Sequence, residues 1–441
     1  MSHLDIQSDK ATNVARTPIV LASLLLLFLS TIFYSHQYFF RVLPGTMQEK
    51  LTTDFELSNF ELSNVAACFF YAYLIVQPIS GIVIARFGVA LAFLIAGVSV
   101  FSGAMFMSVA SVIEHLYVSQ LLLGIGGSFA LLIALSTGRV TISKKYYPLF
   151  SGGVLAIGAS GAIIGQAPLA YITDVYDWQD IVFYTAFFEL LIVITMTWLI
   201  YRYSYFRPQL LTTHKKNSAS SGLKETLTDS NVWLLSLLGC FLCLPMASFV
   251  IVWLYPFISL ELGEHTLYSR LAPTAAYAGY VIGSPIVGWI ATSLPNRKLQ
   301  ILIIASILGF LSSMGAIYTV EHSIIVVYSF LFIMGVSISC ITIIIALVRD
   351  WIPAERLPIA LGIAMCALNL GGTVSLIAIG YILDIEKSMA GVSQLKAYHV
   401  ALVFVPASFL MAFAISCVIR LKTARQVRSL PRSDSIRRIP A

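Results

Sequence analysis

Twelve apolar runs, each long enough to cross a lipid bilayer, constrain this 441-residue chain more than any other feature. They lie at about 18–48, 61–84, 88–110, 114–137, 147–172 and 180–203, then, after a polar interval, at 231–259, 267–293, 299–320, 323–348, 356–383 and 397–420. They are numbered here span 1 to span 12. The hydrocarbon core demands about 20 apolar residues of helix, and several runs are longer, which implies tilt. A soluble domain carries about 25% charged residues, whereas 11% are charged here and the mean hydropathy is +0.87. The expected fold is an all-α polytopic membrane protein with its transmembrane helices in two six-helix bundles. No A-x-A-like cleavage site follows span 1, which reads as a retained helix rather than a signal peptide.

The runs divide the chain into a cytoplasmic N-tail at 1–17, a first bundle at 18–203, a linker at 204–230, a second bundle at 231–420 and a basic C-tail at 421–441. The linker is rich in Ser, Thr and Lys and reads as flexible, with a short amphipathic helix near Leu223. If both termini are cytoplasmic, 22 of the 27 Lys and Arg fall on that side, including Arg86, Arg139, Arg349 and the tail. A split this uneven sets the topology. It also makes the net charge of +6 topological, so nucleic acid is not expected as a partner. The partners expected are the bilayer and a small-molecule solute, with proton coupling, sodium coupling and facilitated diffusion all open, in a monomer of a bacterial inner membrane. All six cysteines sit in apolar runs and read as reduced small hydrophobes. No cofactor or metal is expected.

The two halves repeat. At an offset of 210 residues, Arg139 matches Arg349, Pro148 matches Pro358, Gly152 matches Gly362, Gly161 matches Gly371, Tyr171 matches Tyr381 and Asp174 matches Asp384. Parallel repeats about an axis along the membrane normal are the signature of a transporter with a central site between halves.

Three patterns then resemble the major facilitator superfamily over essentially the full length. Gly81 to Gly88 (GIVIARFG) resembles its G-x-x-x-D-R-x-G loop, with a second-half counterpart from Gly288 to Lys298. Gln120 to Gly126 resembles R-x-x-x-G-x-G, and Gly153, Gly158, Gly161, Gly165 and Pro168 resemble its glycine-rich span 5. The resemblance implies two rocking bundles and, for Gly81, Arg86, Gly88 and Gly288, gating and packing, Gly81 and Gly88 by permitting a tight turn. The resemblance of the first two spans extends to nutrient carriers of intracellular bacteria and to lysosomal dipeptide uniporters. Ala85 stands where the superfamily has aspartate and Gln120 where it has arginine, so its charge-relay gate and proton relay do not carry over.

The site is expected around Arg41. Tyr34, Gln37, Tyr38 and Arg41 are spaced i, i+3, i+4 and i+7 and share one helical face. An arginine inside a bilayer costs about 2.5–3.5 kcal/mol on insertion scales, so it persists where it faces a cavity or an anion. The alternative is that Arg41, late in span 1, snorkels to the headgroups. Tyr38-Phe39-Phe40-Arg41 resembles the Y-x-x-R of organic-anion carriers of the superfamily. The resemblance also implies that organophosphate exchangers use a second arginine, but here the 210-offset counterpart is Ile251. A monocarboxylate, an amino acid or a dipeptide fits one buried cation better. Tyr71, Tyr73 and Gln77 in span 2, Trp253 and Tyr255 in span 7, Tyr277 and Tyr280 in span 8, and Asn369 in span 11 are expected to complete the cavity. Each also reads as core packing or interfacial belt. Asn369 is the most telling, since an amide deep in a helix of small residues must find a partner or line water. For proton coupling the candidates are Glu189 and His36, each also readable as a structural hydrogen-bonding group. An enzyme is not expected, because the spans hold no carboxylate pair, His cluster or nucleophile with its base. A non-transporting solute sensor of the same fold stays open.

Overall fold

The computed structural model describes residues 3–143, 145–203, 219–261, 267–318, 323–388 and 393–429. Residues 204–218 of the expected linker, 430–441 of the basic tail and Lys144 lie outside the described residues. Among the described residues the regular structure is entirely helical, and nine helices are long and apolar enough to cross a membrane. One of these, Asn59–Ser108, contains spans 2 and 3, while His3–Thr46 and Leu267–Ser293 supply spans 1 and 8. The first helix starts at His3, inside the segment expected as a tail.

Local chemistry sets the helix ends and breaks. Span 2 opens on a capping box in which the Ser58 hydroxyl accepts from the Glu61 amide and the Glu61 carboxylate accepts from the Ser58 amide. It ends at Gly88, whose φ of 85° is a left-handed conformation that glycine adopts without strain, so span 3 starts directly after a tight turn. Span 5 breaks between Ile164 and Ala167, and the Gly165 carbonyl freed there accepts from the Thr46 hydroxyl of span 1 at 2.7 Å. Unpaired backbone in lipid must be satisfied by such neighbours. Span 7 is π-helical over Met246–Trp253, immediately after Pro245.

The halves meet along two crossings, span 2 against span 11 and span 5 against span 8. Gly81 lies against the Pro358 backbone and Gly362 against that of Gln77; Gly288 lies against the Pro148 backbone and Gly152 against that of Ser284. The repeat noted between spans 5 and 11 therefore has a partner at an offset of 207 residues, since Pro78-Ile-Ser-Gly81 of span 2 corresponds to Pro285-Ile-Val-Gly288 of span 8. Each crossing is built from the same kit of proline and small residues, which lets helix backbones approach closely where lipid gives no hydrophobic drive. Gly81 is thus not part of the turn; it packs against span 11, and Gly88 alone makes the turn.

These close approaches lie toward the face carrying both chain termini, called proximal here. Arg349 at the end of span 10 adds to the closure, its guanidinium 3.8 Å above the Tyr147 ring of span 5. The opposite, distal face is closed as well. There Asp384 accepts from Asn59 Nδ2 at 2.9 Å and from the Phe60 amide at 2.8 Å, Asp174 pairs with Arg270 at 2.7 Å, and the Tyr255 hydroxyl donates to Glu49 at 2.6 Å. The pocket left between Glu49, Lys50, Asp174, Tyr255 and Arg270 is about 50 Å³. That holds a few water molecules, far below the roughly 300 Å³ at which small-molecule sites begin. The protein is described in an occluded conformation, sealed at both faces.

Candidate solute-binding site

Between the two seals, span 1 presents Arg41 to the seam. Its Nη2 donates to Asn369 Oδ1 of span 11, in the opposite half, at 2.6 Å. The guanidinium lies 4.6 Å from the centroid of Phe70, 5.4 Å from Tyr38 and 5.9 Å from Phe69. Phe70 stands eleven residues into the helix that begins at Asn59, a depth of about 16 Å at 1.5 Å per residue. Arg41 therefore lies among protein groups of both halves, about three turns into span 2. Its Nε is buried and has no hydrogen-bond partner among the described residues. No carboxylate pairs with Arg41 among the described residues.

Aromatic and amide groups surround the cation. The Tyr34 hydroxyl donates to that of Tyr38 at 3.4 Å, with the two rings edge to face at 5.2 Å. The Tyr277 ring of span 8 meets Tyr38 edge-on at 6.5 Å, and its hydroxyl is buried without a partner among the described residues. Tyr73, Tyr277, Tyr280 and Cys243 all lie within electrostatic reach of the guanidinium. Asn369 is held in place by its own Nδ2, which donates to the Met365 carbonyl at 2.8 Å. Both halves thus supply the site, the first its charge and the second its amide oxygen and a second set of phenols.

Gln37 and Gln77 are buried, and both amide atoms of each lack a partner among the described residues. Gln37 is one turn before Arg41, with Gly127 of span 4 beside its Oε1. Trp253 is not brought to this cluster: its ring faces Tyr398 of span 12 at 6.4 Å, inside the second half. Tyr71 donates to Asn64, and Tyr255 belongs to the distal seal. Gln120, at the position of the family arginine, is buried with its Nε2 against Met107 Sδ at 3.8 Å, away from the seam. Arg86 is exposed, its guanidinium 5.3 Å from the Phe87 ring. His36 and Glu189 meet each other at 2.5 Å.

Sequence reasoning missed Phe69, Phe70 and Cys243. A signal for the two phenylalanines existed: Phe70, Tyr73 and Gln77 follow each other at helical spacing, so Phe70 shares the face already assigned to the other two.

Helical halves that touch at both ends of the bundle and enclose, among the described residues, one cation with unsatisfied amides between them fit a membrane transport protein. A sequence profile for the Major Facilitator Superfamily matches residues 24–343 and, in an overlapping second match, residues 237–439. The chain belongs to the major facilitator superfamily. No curated protein matches it significantly.

Proposed function

We propose that the protein carries a small solute bearing one carboxylate across its membrane by alternating access, with Arg41 as the group that receives the carboxylate. The observation that carries this reading is a partly buried guanidinium with, among the described residues, a single neutral hydrogen-bond partner, Asn369, and a spare, buried Nε, enclosed by Phe70, Tyr38 and Phe69. A guanidinium offers a planar fork of donors matched to a carboxylate, and a charge-assisted pair in this setting is about twice as strong as a neutral hydrogen bond. Ile251 at the repeat-related position adds no second cation, which disfavours a doubly charged phosphate.

An amino-acid or dipeptide cargo is the second reading. It draws on Gln37 Oε1, a buried acceptor without a partner one turn from Arg41 on the same helix, placed to receive an ammonium while Arg41 holds the carboxylate. Rocking of the halves about the two proline and glycine crossings would expose Arg41 to each face in turn, with the termini cytoplasmic.

A thermal-shift screen of metabolites on the purified protein tests the reading. Monocarboxylates should stabilise the wild type, and the effect should vanish in Arg41→Ala but persist in the exposed control Arg297→Ala. Stabilisation by uncharged sugars alone, unchanged by Arg41→Ala, would overturn it.

A further inference from the structure

His36 of span 1 and Glu189 of span 6 form the one carboxylate–imidazole pair buried inside the bundle among the described residues. His36 Nδ1 is 2.5 Å from Glu189 Oε2; the carboxyl is fully buried and the imidazole 8% exposed. Each keeps one buried atom without a partner, His36 Nε2 and Glu189 Oε1. A buried ionisable pair is a poor way to hold two helices together, because well-packed apolar residues do that as well or better. Spare valence on both members makes a purely structural role poorer still, since unsatisfied polar atoms in a membrane interior are costly.

His36, but not Glu189, lines a largely apolar groove of about 780 Å³ between spans 1, 5 and 6, whose other lining residues include Asp180, Tyr184 and Thr185. Asp180 stands in the first turn of the helix Trp178–Tyr203, at the distal face. Nine residues separate it from Glu189, about 13 Å along the helix axis. The remaining flanks of the imidazole are the rings of Phe39, Phe40 and Phe188.

We propose that the His36–Glu189 pair is a proton-binding site, coupled through span 1 to the cargo at Arg41. In its neutral form the pair shares one proton between Nδ1 and Oε2. A further proton, given up by hydronium, forms an O–H bond at Oε1 and leaves the pair a cation; discharge breaks that bond and returns the proton to water. Coupling follows from charge. An anion on Arg41 lowers the charge held within the bundle by one and a proton on the pair raises it by one, so the carrier loaded with both matches the empty carrier and each singly loaded form does not. His36 and Arg41 are five residues apart on one helix, about 7.5 Å along its axis, close enough in low dielectric for each charge to sense the other.

The other elements packed on the pair contribute little charge. Span 5 faces the groove with Gly161 and Ile164, and span 3 meets span 6 through Phe101 against Phe187 and Gly97 against Val193. The titratable groups lining the groove besides His36 are Asp180, Tyr176 and Tyr184. The coupling step takes the carboxylate cargo proposed above; proton binding stands without it.

Infrared difference spectra of the full-length protein across a pH titration read the site directly. The wild type should gain a protonated-carboxyl C=O band on acidification, and Glu189→Gln should lose it. In His36→Leu the band should already be present without acidification, because the carboxyl has lost the imidazole that shares its proton. Glu189→Asp, which keeps the acid, serves if Glu189→Gln does not fold, and should shift the band in frequency. Spin labels at the exposed distal positions Glu56 and Gln394 read the coupling: the wild-type distance should respond to pH and Glu189→Gln should not. A band that survives in Glu189→Gln, or a pH response that survives there and disappears in Asp384→Asn, would overturn the proposal. A protein that keeps the Glu189 band but gains no stability from carboxylates would retain the proton site and refute only the cargo.

Discussion

Adding one methyl group at Gly81 should open the proximal face. A Cβ built there would stand 2.6 Å from the Pro358 carbonyl oxygen and 3.3 Å from the Ile359 Cα, both on span 11. The obstacle is backbone, so no side-chain rotation relieves it, and the two spans must separate. Overpacking of this kind costs about 1–3 kcal/mol, and it acts only in the state where spans 2 and 11 touch. The gain of about 1 kcal/mol from alanine's better helix propensity applies to every state of a helical position and cancels. The balance between closed and proximally open forms should therefore shift by about 5- to 150-fold toward the open one. Spin labels at Ser143 and Glu355, exposed on proximal loops of opposite halves, would report this as a growing long-distance population in double electron–electron resonance. Gly153, where an added methyl would meet nothing within 4 Å, is the control for Ala substitution in a packed helix. An unchanged distribution in Gly81→Ala, or an equal change in Gly153→Ala, would refute the idea that this crossing seals the proximal face.

The distal face should respond in the opposite sense. Asp384→Ala removes two hydrogen bonds and a favourable anion from the first turn of span 2, so the Glu56–Gln394 label distance should lengthen; a distance identical to the wild type would deny Asp384 a latching role. Lys298→Met breaks the 2.6 Å pair with the partly exposed Asp350, which lies within one half. Such pairs contribute about 0–1 kcal/mol, so Tm should fall by a few degrees at most and both label distances should stay put; a larger fall or a moved seam would show that this pair does more than tie spans 9 and 10.

Periodicity carries much of this architecture and then reaches its limit. Apolar run length places the spans, and the i, i+3, i+4, i+7 spacing puts Tyr34, Gln37, Tyr38 and Arg41 on one face. Spacing fixes which residues share a face of their own helix, not how that helix is rotated against the next. The contact between Arg41 and Asn369, 328 residues apart, is therefore invisible in the sequence even though each residue stands out separately. The same holds for His36 and Glu189, each of which supplies the other with one polar partner. Trp253 shows a second limit. Counting at 3.6 residues per turn fails through Met246–Trp253, because a π-helical stretch has i→i+5 hydrogen bonding and rotates everything after it. Pro245 is the warning in the sequence. Gly81 shows a third, since a glycine needed for a turn and one needed for close approach look alike until the neighbouring backbone is placed.

The asymmetry of the site leads to a sharper test than removal of its charge. The repeat puts Ile251 opposite Arg41 and Ala159 opposite Asn369, so the polar contact lies where the two halves have diverged. Asn369→Asp keeps the size of the side chain and replaces a neutral acceptor 2.6 Å from Nη2 with a carboxylate. That carboxylate would occupy the guanidinium permanently, doing from within what the cargo is proposed to do from outside. Charge-assisted hydrogen bonds contribute about 1.5–3 kcal/mol against about 1 kcal/mol for neutral ones, so a carboxylate solute should lose about 2- to 30-fold in affinity. The apo protein should meanwhile gain thermal stability, having paired a buried charge. Asn369→Leu should do the reverse to the apo protein, leaving Arg41 without its one polar partner and lowering Tm. Opposite effects on apo stability, with carboxylate stabilisation weakened in Asn369→Asp, would identify Arg41 as the anion receptor. A carboxylate response that survives Asn369→Asp undiminished would mean that the cargo binds elsewhere in the seam.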